Sequence, residues 1–128
     1  MTNKDKRTVA VLFGGRSVEH EVSILTAQQI LAALPREKYD AIPIYIDKQG
    51  DWYTGKHLTN VAAFTDLPRA LAKAMPIALD LSRKPAALVS RKRLFLGKPL
   101  WQREIHVALP AGHGAFMEDG CLQGLLEL

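Results

Sequence analysis

Two short stretches concentrate the residue types that do chemistry. In the first, Gly14-Gly15-Arg16-Ser17 is followed at once by Glu19-His20-Glu21, so two carboxylates and an imidazole gather where a glycine turn enters a helix. Acids are favoured at a helix start by the dipole alone. A carboxylate there can also hold a substrate ammonium through a charge-assisted hydrogen bond, which is what an amino-acid site needs. Glu19 and Glu21 are two positions apart and point about 200° from each other on a helix, so only one of them can face a given ligand. The second stretch, Gly112-His113-Gly114 through Glu118-Asp119-Gly120, sets an imidazole between two glycines. Such an imidazole is reachable and suited to donating a hydrogen bond to a carboxylate or a developing oxyanion, whereas Asp119 reads as the N-cap of a closing helix.

Competing chemistries find less support. The first loop lacks both the G-x-G-x-x-G spacing of dinucleotide binding and the lysine of a P-loop, and a plain turn between strand and helix remains its simplest alternative. A metal site built from Glu19, His20 and His113 would lack the His-x-x-x-His spacing that supports such sites, and no metal is expected. His20 taken alone reads as a solvated helix residue, His106 as a face or core residue of an apolar strand, and His57 carries no signal. The single cysteine, Cys121, can form neither an internal disulfide nor a thiolate cluster.

The elements that must position these loops follow from periodicity. Thr8 to Phe13 is a continuous, β-branched apolar run, the pattern of a buried parallel strand. Ile24, Ala27, Leu31 and Leu34 then fall at helical spacing until Pro35. Ala41 to Ile46 returns to extended character, with Pro43 expected at an edge or a strand start. This βαβ unit predicts two parallel strands with the glycine turn at the carboxyl end of the first, where open α/β sheets bind ligands. A turn through Gly50 leads to an extended Trp52-Tyr53. Further on, Leu67, Leu71 and Ala74 suggest a brief helix, while Ile77 to Leu81, Ala86 to Val89 and Leu94 to Leu96 suggest short strands. Ile105 to Leu109 is another apolar strand, and from Cys121 a helical pattern runs to Leu128 without a stop signal. The expected fold is α/β, a Rossmann-like, mainly parallel sheet flanked by helices, in one domain over residues 1–128.

With 128 residues, 48% of them hydrophobic, the chain can bury a core of its own. No stretch of about 18 apolar residues or signal-peptide pattern is present, so no membrane association and a cytoplasmic location are expected. The net charge of +4 is uneven, because Arg83, Lys84, Arg91, Lys92, Arg93, Lys98 and Arg103 lie in one stretch. Few aromatics interleave with them and no nucleic-acid fold signature is matched. Solvated strand faces explain them better than a nucleic-acid partner.

Taken together, the loops resemble those of the D-alanine-D-alanine ligase family. Phe13-Gly-Gly-Arg-Ser-Val-Glu-His-Glu-Val-Ser23 is similar to the family's first motif, His113-Gly-Ala-Phe-Met-Glu-Asp-Gly-Cys-Leu-Gln-Gly-Leu-Leu-Glu127 to its second, and Tyr45-Ile-Asp-Lys-Gln-Gly-Asp-Trp52 to its second-strand turn. The resemblance implies a pre-ATP-grasp domain, truncated here before the ATP-grasp domains. It also implies an ATP- and magnesium-dependent ligase that joins two D-alanines for peptidoglycan synthesis and is a homodimer when full length. Glu19 then takes the position that anchors the ammonium of the first D-alanine, and His113 the position beside its carboxyl group. Gly14, Gly15 and Gly114 would bring backbone close to the substrate, with Ser23 supporting the Glu19 loop or capping the helix. The nucleotide and magnesium ligands would lie downstream. Gly112, Met117 and Cys121 depart from the family pattern, Met117 replacing a glycine whose backbone freedom bears on where His113 points. A non-catalytic α/β amino-acid-binding or interaction module, a relic or divergent paralogue of the ligase, is the alternative.

Overall fold

In the computed structural model, residues 6–16, 20–93 and 96–111 are described. The apolar run of the amino terminus forms β1 (Arg7–Gly14), and the amphipathic segment after it forms α1 (His20–Ala33), ended by Pro35. β2 (Tyr39–Ile46) returns parallel to β1, in a register that sets Gly14 opposite Ile46. β3 (Trp52–Thr54) then leads through two 3-10 turns, Lys56–Thr59 and Val61–Thr65, into α2 (Leu67–Lys73), which is capped by the Asp66 side chain. β4 (Met75–Asp80), β5 (Ala87–Ser90), β6 (Gln102–Glu104) and β7 (Val107–Pro110) complete a seven-stranded sheet of order β6-β5-β4-β3-β2-β1-β7.

The sheet is α/β as expected, but only its β2-β1-β7 portion is parallel; β2 to β6 pair antiparallel in succession. A parallel pair needs a crossover of a dozen or so residues. β1 and β2 have one in α1, whereas the chain leaves β2 through a tight turn at Asp47 to Asp51, closed by Gly50 at φ 93°. The expectation of a mainly parallel sheet is corrected accordingly. The strand expected at Leu94 to Leu96 falls partly outside the described residues, with Leu96 in a turn, and β6 forms instead from the polar Gln102–Glu104.

One constraint shapes the whole sheet. β6 and β7 are its opposite edges, yet only Ile105 and His106 separate them in sequence. Three residue steps reach about 10 Å, whereas seven flat strands would span about 29 Å. The sheet must therefore curl until its edges meet. The two connecting residues prolong the ladders on either side, the Ile105 amide donating to the Ala86 carbonyl at 2.9 Å beside β5 and the His106 amide to the Thr8 carbonyl at 3.0 Å beside β1. Arg103 of β6 also forms an ion pair with Asp40 of β2.

Curling lets the sheet bury one face against itself. Ala10, Leu12, Ile42, Ile44, Ile46, Ile77 and Leu88 form this inner cluster, rimmed by Trp52, Met75, Leu79, Trp101 and Ile105. The alternate residues Val9, Val11, Phe13 and Tyr45 face outward, where α1, α2 and the 3-10 turns cover them with Ile24, Ala27, Leu58 and Ala70. Both described helices thus lie on one face. Phe13, Tyr45 and Phe64 meet there with ring centroids 5.3–5.7 Å apart, in tilted and edge-on pairs. Among the described residues, no helix is long and apolar enough to cross a membrane.

Candidate active site

The carboxyl ends of β2, β1 and β7 lie side by side, which is where a parallel sheet places its ligands. β1 ends in two glycines, at φ 91° and 92°, which lead toward α1. A Cβ on Gly14 would lie 2.2 Å from the Ile46 carbonyl oxygen and 3.0 Å from the Tyr45 ring. Only glycine lets β1 and β2 approach this closely in that conformation.

The turn is held from three directions. The Gly15 amide donates to the Ile46 carbonyl at 2.7 Å. The Gly14 amide donates to the Ser23 hydroxyl at 2.7 Å, and that hydroxyl in turn donates to the His20 carbonyl at 2.7 Å. His20 reaches back with Nδ1, 2.6 Å from the Gly15 carbonyl, while its Nε2 lies 2.6 Å from the Tyr45 hydroxyl. A carbonyl only accepts, so Nδ1 carries a proton. The Nε2 of a neutral ring then accepts, and Tyr45 donates. Burial, with Asp47 and Glu21 adding, pushes the Tyr45 phenol well above its ordinary range and preserves that donor.

Next to this turn, Asp47 caps the β2–β3 connection. Its Oδ1 accepts from the amides of Gln49 and Asp51, each at 2.9 Å. The Arg16 guanidinium lies over Gly50 and donates to the Gln49 carbonyl at 3.1 Å, and Lys48 approaches Glu21 at 3.8 Å across solvent. The cation of the glycine loop is thereby spent on the neighbouring turn.

Of the residues singled out from sequence, Gly14, Gly15 and Ser23 come together here. Ser23 is wholly buried, its hydroxyl committed to backbone groups. Glu19 lies outside the described residues, between Arg16 and His20, and so do His113 and Gly114, which follow Ala111. Ala111 itself is tied to β1 by its amide, 2.7 Å from the Leu12 carbonyl. The two predicted loops therefore depart from adjacent strands, a neighbourhood the sequence alone did not specify.

His20 was expected to be solvated and is only 3% exposed. Its partner Tyr45 drew no attention in the sequence; the one available clue was a polar-tipped side chain inside an apolar run. His106 lies just ahead of β7 and accepts the Thr8 amide on Nδ1 at 2.9 Å, and His57 donates from Nε2 to the Ala70 carbonyl at 2.8 Å. Both are structural. Of the basic stretch, Arg83 meets Asp80, Arg91 meets Asp51 and Arg103 meets Asp40, so three of its cations are balanced locally. No group of three His, Cys, Asp or Glu side chains that could hold a metal ion occurs among the described residues.

Comparison with known proteins bears on which chemistry this strand end serves. A D-alanine--D-alanine ligase of Kineococcus radiotolerans is 43% identical over all of this chain and 35% of its own length. That of Thermosipho melanesiensis is 39% identical over 94% of this chain and 31% of its own length. Among solved structures, the D-alanine-D-alanine ligase of Coxiella burnetii superposes with a TM-score of 0.75 at 33% identity, covering 97% of this chain and 33% of that one. The VanG D-Ala:D-Ser ligase of Enterococcus faecalis gives 0.74 at 28% identity, covering 95% and 33%. The chain thus spans about a third of the length of the relatives it matches. The family described as D-ala D-ala ligase N-terminus matches residues 8–128, and with Gly14, Gly15 and Ser23 locked together at the carboxyl end of β1, the chain belongs to that family.

Proposed function

We propose that this chain supplies the domain that binds the first D-alanine in an ATP-dependent ligase forming D-alanyl-D-alanine. What carries the reading is the glycine turn at the end of β1, fixed by Ser23, His20 and Ile46 and followed directly by Glu19. The Gly14 and Gly15 amides both point inward to protein acceptors, so neither is offered to a ligand. A carboxylate beside the turn suits an ammonium. His113, on the segment leaving β7, would stand by the substrate carboxyl group and stabilise charge on it, with Gly114 allowing close approach.

ATP and magnesium belong to the same proposal. Their chemistry is activation of one D-alanine carboxylate as an acyl phosphate, which the amine of the second D-alanine attacks. The described residues hold no cluster fitting magnesium, and this chain's part is to bind and orient the first substrate. A cytoplasmic dimer that feeds peptidoglycan synthesis completes the proposal.

The test is steady-state kinetics of the full-length protein with D-alanine, ATP and magnesium, following dipeptide and ADP. Glu19→Gln should raise the KM for the first D-alanine by about tenfold or more, since a neutral amide pairs less strongly with an ammonium. Unaltered kinetics would remove Glu19 from the role. Absence of dipeptide from the wild-type protein would remove the ligase reading and favour a binding module.

A further inference from the structure

At the end of the sheet opposite the glycine turn, a cavity of about 690 Å³ opens between the start of β2, the end of β3 and the residues that lead into β6. Its floor is apolar, made by Ile42, Met75 and Trp101 of the inner cluster. Cavities of about 300–1,000 Å³ at the mouths of closing sheets commonly hold small ligands, through an apolar wall and a few placed charges. Three cations line this one, Arg36, Lys56 and Arg103, against a single carboxylate, Asp40. Arg103 and Asp40 are paired with each other across the curl. The Arg36 and Lys56 side chains are exposed and have no partner among the described residues. The Thr54 hydroxyl is committed to the Pro43 carbonyl at 2.7 Å, so the polar groups left to a ligand are the two free cations. A smaller cavity beside Trp52, Ile77 and Leu79, of about 340 Å³, differs in this respect, because Arg91, the cation that lines it, is paired with Asp51.

We infer that this cavity binds a small amphipathic anion, an aromatic or acyl body bearing one carboxylate, sulfonate or phosphate group, with the body against Met75 and Trp101 and the anionic group between Arg36 and Lys56. Either half alone would be ordinary surface, since exposed cations are well solvated and single apolar side chains need no partner. Together they select. A body seated on the apolar floor displaces water from beside the anionic group, and a cation–anion contact that is weak in open solvent strengthens as water leaves. Asp40 is held by Arg103, so it does not neutralise the other two cations. A neutral ligand of the same shape forgoes both cations, and a bare anion forgoes the floor. The site does not depend on the ligase activity proposed above, since no residue of the glycine turn lines it; Ile42 stands four residues from Ile46 on β2, about 13 Å along the strand.

Two probes of one shape test the site on the full-length protein: anilinonaphthalene sulfonate, which carries an anionic group, and N-phenylnaphthylamine, which lacks it. ADP, magnesium and D-alanine are kept in excess, so that nucleotide or substrate sites do not take up the probes. The sulfonate should bind saturably and shift the Met75 methyl resonance, which is identified by its loss in Met75→Leu. Reversing both exposed cations, Arg36→Glu with Lys56→Glu, should weaken sulfonate binding by about tenfold or more. Raising the salt to about 0.5 M should weaken it in smaller measure, with binding of the neutral amine staying within about twofold under both changes. Arg36→Lys with Lys56→Arg keeps both charges and should bind the sulfonate as wild type does. No saturable binding of the sulfonate, or a Met75 methyl unmoved at saturation, overturns the site. Equal sulfonate affinity in wild type and the charge-reversed variant overturns recognition of the anion, and so does a loss in the charge-preserving variant as large as that in the reversed one.

Discussion

Replacing Gly14 by alanine isolates the close approach of β1 and β2. The backbone there sits at φ 91°, which costs an L residue about 1–2 kcal/mol. The new methyl would lie 2.2 Å from the Ile46 carbonyl oxygen, where ordinary carbon–oxygen contacts are about 3.3–3.6 Å. Since the obstacle is backbone at the end of a buried strand, no rotamer change relieves it, and the strand ends must part by about 1 Å. The hydrogen bond from the Gly15 amide to that same carbonyl, at 2.7 Å, is lost or stretched, at about 1–3 kcal/mol for a buried pair. The total is about 2–5 kcal/mol, a large share of a typical domain's stability.

Gly97→Ala provides the control, because Gly97 also has positive φ, 77°, but nothing within 4 Å of its added Cβ. It should cost only the conformational part, about 1–2 kcal/mol. Urea unfolding followed by Trp52 and Trp101, which both line the inner face of the sheet, reads the two variants side by side. With slopes of about 1–3 kcal/mol per molar urea, the midpoint for Gly14→Ala should lie about 1 M below that for Gly97→Ala. Equal midpoints would mean that the approach of Gly14 to Ile46 is not a constraint, and the account of this turn would be wrong.

Two further outcomes follow from the same contacts. Ser23→Ala leaves the buried Gly14 amide without its acceptor and should cost about 1–3 kcal/mol in the same titration; a midpoint matching wild type would show that the hydroxyl is dispensable. Asp80 is held below the usual carboxylate range first by the Ser82 hydroxyl, then by the Ser82 amide and Arg83. Its depressed folded value means that any contribution to stability is present above the unfolded value and fades as pH falls through the folded one. Nuclear magnetic resonance titration should show the Asp80 carboxyl moving back toward its ordinary value in Ser82→Ala, and an unmoved titration would contradict that order of causes.

What the sequence made legible is what depends on nearby residues. The run Thr8 to Phe13, the helix through Ile24 and Ala27, and the return at Ile42 to Ile46 are each specified by their own periodicity. Pro43 was legible only in part. It lies inside the sheet, yet β3 ends at Thr54 opposite Ile44, leaving Pro43 a local edge where its carbonyl takes the Thr54 hydroxyl at 2.7 Å. β6 was missed because Gln102-Arg103-Glu104 has no apolar alternation; it is a strand by virtue of β5 beside it and Asp40 across the curl. The burial of His20 was missed for a related reason. It is decided by Tyr45, 25 positions away in the chain, and no local pattern encodes that contact.

The glycine turn shows how position in a fold and chemistry can diverge. A turn between a first parallel strand and its helix is the place where many α/β proteins bind phosphate, using free backbone amides. Here the Gly14 amide is turned onto Ser23, the Gly15 amide onto Ile46, and the Arg16 cation onto the carbonyl of Gln49. Among the described residues, these donors that would attract an anion are consumed within the protein. The inward hydrogen bonds that stabilise the turn therefore also make its described residues a poor cradle for phosphate. That requires the amides to stay inward, which the Ser23 hydroxyl on Gly14 and the Ile46 carbonyl on Gly15 secure.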